Sequence, residues 1–317
     1  LLRIMNQYVS DWGWEDEFSQ WMANDCTICT TLVDTIVPGR IRDPKEAAAV
    51  AERLGYEDPF LAVREPFQMW GIQGDESLKE RLPFVKAGLP GVFVTPDVTP
   101  YKKRKVRILN GAHTAFVPGS WVAGFDIVRD CMHDETVRGF MNTMLYDEVI
   151  PTLAADLDVE DCKAFAAAVE NRFDNPFIDH ALLSICLNST AKWRARDLPT
   201  LKDYVAETGN LPKCLATSLA TLIAFYTQEL VAREGDGLHL RRADGTEYTA
   251  QDDAFVLDFY AAHAGADDAE LVHDVLSNEQ MWGEDLTQIA GLEEFVVNAL
   301  AIVRAEGVKQ AFANAQA

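Results

Sequence analysis

At 317 residues with 48% hydrophobic content, the chain is long enough for one large or two ordinary domains with real cores. Lys plus Arg total 28 against 50 Asp plus Glu, a formal net charge of −22 that repels nucleic acid and anionic membranes and favours a small ligand. Without a long apolar run or an export-type leader, the expectation is a cytoplasmic protein with no membrane partner and with its six cysteines reduced.

Leu1 to Val9 and Trp14 to Met22 carry the spacing of short amphipathic helices. Cys26 to Val37, rich in Thr, Ile and Val and closed by Pro38-Gly39, reads as a strand and turn. Cys26-Thr-Ile-Cys29 has redox or zinc spacing, but no second CxxC or His pair accompanies it, and no metal is expected. Asp43-Pro44 opens a helix that runs to Leu54 and stops at Gly55. Short strands are expected over 60–67, 69–72 and 92–94, so the first hundred residues mix strands and helices.

Beyond Pro100 long helical patterns dominate, over 102–123, 134–153, 159–173, 180–193, 212–228, 251–264 and 292–313. Asp244-Gly245 marks a hairpin within 238–248. The expected fold is therefore mainly α, with an α/β portion ahead of a helical one. No repeat of fixed period runs through it.

The stretch Tyr101 to His113 concentrates the candidate chemistry. Five cations lie between 102 and 107, an exception in an acidic chain and a means of drawing in an anionic substrate. Lys105, Asn110 and His113 have the spacing K-x4-N-x2-H; on an α-helix they fall within an arc of about 140° and a length of about 12 Å. One face then presents an amine, an amide and an imidazole. A helix start with solvated charges and locally satisfied Asn and His competes with that reading. Tyr101 and Lys105 also fit the Y-x-x-x-K pair of short-chain dehydrogenases, but the glycine motif and serine that accompany it are missing. No G-x-G-x-x-G, G-x-x-x-x-G-K-[ST], G-x-S-x-G or H-E-x-x-H occurs, which excludes many enzyme classes and leaves lysine chemistry open.

Over essentially its whole length the chain resembles the polyol-specific long-chain dehydrogenases of the mannitol dehydrogenase family. The residues that carry this are K-x4-N-x2-H itself, Thr31-Leu-Val-Asp-Thr-Ile-Val-Pro38 against the family's V-D-R-I-x-P, and Glu65-Pro-Phe-Gln-Met-Trp70-Gly-Ile72 against E-P-F-x-x-W-x-I. Thr35 stands where the signature usually has Arg. Further stretches, among them Leu109-Asn-Gly-Ala-His-Thr-Ala115 and Arg172-Phe-Asp-Asn-Pro176, resemble the members that reduce D-tagaturonate to D-altronate with NAD; fructuronate and mannitol-type substrates are the alternatives.

The resemblance implies that residues 1–99 are the tail of a Rossmann-type cofactor domain, whose main NAD motif lies upstream of Leu1, and that 100–317 form a helical substrate domain. A non-catalytic helical fragment is the competing reading. By the same resemblance Lys105 transfers the proton, Asn110 donates to the substrate oxygen and His113 orients neighbouring hydroxyls. Val33 and Asp34 line the cofactor and substrate cleft. Because the substrate is a small anionic sugar acid, a cationic clamp is required, for which Arg172, Lys192, Arg194 and His180 are the candidates. Glu65 and Trp70 are expected to be supports, and Lys102, Lys103, Arg104 and Arg107 to depress the Lys105 pKa and attract the anion.

Overall fold

Packing divides the chain into two units, 1–34 with 68–98, and 35–67 with 99–317. The computed structural model describes residues 1–14, 16–41 and 43–317; Glu15, inside the expected helix 14–22, lies outside the described residues. The segment 35–67, expected with the first half, packs with the helical one.

In the first unit, helices Leu2–Asp11 and Asp16–Asn24 precede a three-stranded sheet ordered Thr31–Asp34, Met69–Gln73, Val92–Thr95. The first pair is antiparallel, with Val33 opposite Trp70; the second is parallel, with Trp70 opposite Val92. The parallel pair needs a crossover, supplied by Glu76–Arg81 and Pro83–Lys86. Asp75 caps the first of these by accepting from the Ser77 N–H at 2.9 Å. At Gly71 in the central strand a Cβ would stand 3.0 Å from the Phe93 ring, a tight fit that Phe93 would have to shift to relieve. The strand expected over 26–37 contracts to four residues in its middle, Thr31–Asp34. Trp70 stacks on Phe84 at 5.0 Å, a support role.

In the second unit, Asp43 caps Pro44–Leu54 by accepting from the Lys45 N–H, and Gly55 ends it with φ 80°. No strand forms over 60–67, where Val63 makes only an isolated bridge with Gly39. The core is built on Lys213–Tyr226, buried at every residue after the first, which packs against Gly111–Val122 and Leu292–Glu306. A helix apolar all round requires cover on all sides. The hairpin gains a third strand, giving an antiparallel meander of Glu229–Glu234, Gly237–Arg241 and Glu247–Ala250. Among the described residues no helix is long and apolar enough to cross a membrane.

Two expected helices are broken. The one over 180–193 divides into Leu182–Ile185 and Ser189–Arg196 at Asn188, whose φ is 53°. That over 292–313 divides at Gly307, φ 91°. The helix expected over 102–123 runs from Thr99 to Val122 but changes winding in the middle, through a π segment at Val106–Asn110.

Candidate active site

The π segment falls between Lys105 and Asn110. Here the Gly111 N–H reaches back five residues to the Val106 carbonyl. Five residues overshoot an α turn by about 140°, whereas an i→i+5 turn absorbs the extra residue, so Lys105 and Asn110 come closer to one line along the helix. The K-x4-N-x2-H spacing therefore has a narrower arc than ideal α geometry assigns it.

His113 lies on the following helix with 6% of its surface exposed. Its ring stacks on Phe173, centroids 4.0 Å apart, and meets His180 edge-on at 5.4 Å. Its Nε2 is buried and has no hydrogen-bond partner among the described residues. Burial holds the imidazole well below its ordinary pKa, and the nearby charges of His180, Arg196, Arg172 and Lys105 push in the same direction. Four basic side chains thus gather around one neutral imidazole.

Of the expected clamp residues, Arg172 is engaged elsewhere. Its Nε and Nη2 donate to the Glu65 carboxylate, and both side chains are buried. Lys192 is half-buried and donates to the Ile185 carbonyl at 2.9 Å; burial, then Arg196, lower its pKa. His180 faces His113, and its carbonyl accepts from Val128 N–H at 3.0 Å. Arg194 is exposed and lies against Gly283, because two positions along a helix turn a side chain by about 200° from Lys192.

The residue in the matching place is Arg196, four on from Lys192 and so on the same face. Its Nη1 donates to Thr114 Oγ1 at 3.0 Å and, more distantly, to the Asn110 carbonyl at 3.4 Å. The i, i+4 relation to Lys192 was the available signal for it.

The cation cluster is largely matched by acids. Lys103 pairs with Asp156 and Arg104 with Asp161, while Arg107 donates to Thr200 at 2.6 Å and Asp203 at 3.0 Å. This reduces the positive field expected of that cluster. Thr35 donates to the Phe67 carbonyl at 3.2 Å.

In the first unit, Val33 is 58% exposed between buried Leu32 and Asp34.

Comparison with known proteins decides the family. Residues 97–304 match the mannitol dehydrogenase C-terminal domain, and residues 3–86 match the mannitol dehydrogenase Rossmann domain. The chain belongs to the mannitol dehydrogenase family. It is 40% identical to the altronate oxidoreductase of Yersinia enterocolitica over 319 residues, 99% of this chain and 62% of that protein. It is 41% identical to the altronate oxidoreductase of Enterobacter sp. (strain 638) over 317 residues. The chain thus spans about three fifths of the length of these relatives.

Among solved structures, Pseudomonas fluorescens mannitol 2-dehydrogenase, in ternary complex with NAD and D-mannitol, aligns with TM-score 0.74 at 21% identity, covering 95% of this chain and 56% of that one. A D-sorbitol dehydrogenase in substrate-free form aligns with TM-score 0.73 at 21% identity, covering 95% and 57%. Both share the fold of this chain.

Proposed function

We propose that the protein carrying this chain reduces D-tagaturonate to D-altronate, reversibly and with NADH. The observation that carries this is the gathering of Lys105, His180, Arg196 and Arg172 about neutral His113, on a helix bearing K-x4-N-x2-H. The 40% identity with altronate oxidoreductases supports the choice of substrate.

Reduction of the ketone requires a hydride at carbon, a proton at oxygen and donors that meet the charge developing on that oxygen. When bound, the nicotinamide cofactor supplies the hydride; Val33 and Asp34 are the residues of this chain that would hold it. Lys105 Nζ gives its proton to the carbonyl oxygen and takes it back in alcohol oxidation. The Asn110 amide donates to the same oxygen. His113, kept neutral by burial, offers Nε2 to a substrate hydroxyl without adding a charge. Arg196, Lys192 and His180 supply the positive charge for the carboxylate, and Arg172, already paired with Glu65, fixes the wall that carries Phe173.

The test is an assay of the full-length protein with D-tagaturonate, D-fructuronate and D-fructose, each with NADH and NADPH. The expected result is highest kcat/KM for D-tagaturonate with NADH, and a fall in kcat of about 10²-fold or more in Lys105→Met. Preference for fructose, or an active Lys105→Met, overturns the reading.

A further inference from the structure

The π segment lies against the junction of helices Ser189–Arg196 and Leu198–Thr208. The residue at that junction is Asp197, 1% exposed. A Cβ built on Gly111 would stand 2.9 Å from Asp197 Oδ1 and 3.6 Å from the Val106 carbonyl that accepts the Gly111 N–H. The carboxyl therefore occupies the space a side chain at 111 would take, directly against the i→i+5 closure. Its other oxygen, Oδ2, has no hydrogen-bond partner among the described residues.

Two arginines fasten the same contact from either side. Arg107, inside the π segment, donates to Thr200 and Asp203, just beyond Asp197. Arg196, just before it, donates to Thr114 and the Asn110 carbonyl. π turns are rare and unfavourable by themselves, so this winding needs an external hold. Every candidate reacting group on the helix lies within one or two turns of it.

We propose that Asp197, seated against Gly111, is a positioning residue that keeps 106–111 in the π form and so aligns Lys105 and Asn110 with His113. This rests on the reduction argued above. Burial raises the Asp197 carboxyl well above its usual range, with Arg196 and then Arg107 opposing. Asparagine fills the same seat with nearly the same shape, whereas alanine leaves it empty.

The test compares Asp197→Asn, Asp197→Ala and Gly111→Ala in the full-length protein, by kcat and KM with D-tagaturonate and NADH and by amide hydrogen exchange of the 106–115 peptide. The two alanine variants are expected to lose about 100-fold in kcat with unchanged KM for NADH, and to exchange faster in that peptide. Asp197→Asn is expected to keep wild-type kcat and exchange. An Asp197→Asn variant as impaired as Asp197→Ala, or alanine variants with wild-type exchange, overturn the proposal. Should Asp197→Ala not fold, the other two variants decide. If the wild-type protein turns over no keto acid, the function fails on that result alone, and the exchange comparison still decides the clamp.

Discussion

Glu65 receives Arg172 side-on, Nε at 3.0 Å and Nη2 at 2.7 Å, across 107 residues of sequence, with both side chains buried. Glu65 Oε1 also accepts from the Ile36 N–H at 2.6 Å, and the Arg172 guanidinium lies 4.2 Å over the Phe67 ring. The pair therefore binds the segment 35–67 to the helix whose next residue, Phe173, stacks on His113.

Removing one member of such a pair leaves the other charge buried and unmatched. Glu65→Ala is expected to cost about 3–5 kcal/mol of unfolding free energy. The double variant Glu65→Ala/Arg172→Ala should cost less than the sum of its singles, since it strands no charge. Denaturant titration of the full-length proteins measures both. A single-variant cost below about 1 kcal/mol, typical of a solvated pair, contradicts this account.

His113 makes stability depend on pH in a direction fixed by its environment. The folded imidazole has a pKa well below 6.5 because it is buried among basic groups, while the unfolded one keeps about 6.5. As pH falls, the unfolded chain takes up the proton first. The contribution is thus fully present above about pH 6.5 and declines as pH drops toward the folded pKa, by at most about 1.4 kcal/mol per unit. On going from about pH 5.5 to 7.5 the denaturation midpoint should change more in the stabilising direction in wild type than in His113→Gln, which keeps only the opposing groups. An equal change in the two proteins would refute the assignment.

Much of the helical half was legible because its signals are local. The helix over 159–173 appears with its expected ends, and Asp43 and Gly55 cap as their residue types require. What escaped was set by distant partners. Nothing within 101–113 announces the π segment, since the groups bracketing it are Asp197, Thr200 and Asp203. The β-capable run 60–67 makes only an isolated bridge, and its Glu65 turns to Arg172 instead. Arg194 and Arg196 are indistinguishable by composition, and only the helical phase from Lys192 separates them.

That phase makes a prediction. Arg194 is exposed and its guanidinium lies against Gly283, a Cβ on which would meet Nη2 at 2.3 Å with φ at 82°. Arg194→Ala is expected to leave KM for D-tagaturonate unchanged. Arg196→Met removes a charge from around His113 and should raise that KM about tenfold or more. Steady-state kinetics of the two variants decide it, and the reverse order of effects would return Arg194 to the clamp.

Glu148 gives a pH dependence opposite to that of His113. Its carboxyl accepts from the Cys214 N–H at 2.7 Å and the Leu215 N–H at 2.9 Å, at the start of the central buried helix. Burial outweighs those two donors and pushes its pKa up to about 7 from an ordinary 4.5. A raised carboxyl pKa means that the unfolded chain releases its proton first as pH rises. The contribution is therefore fully present below about pH 4.5 and lost as pH climbs through about 7. Between about pH 5.5 and 6.5 this loss offsets the gain from His113, and wild-type stability should be nearly flat there. Glu148→Gln removes one side of the balance, so its stability should rise with pH across that window. A Glu148→Gln protein with the flat wild-type profile would show that this carboxyl stays charged in the fold.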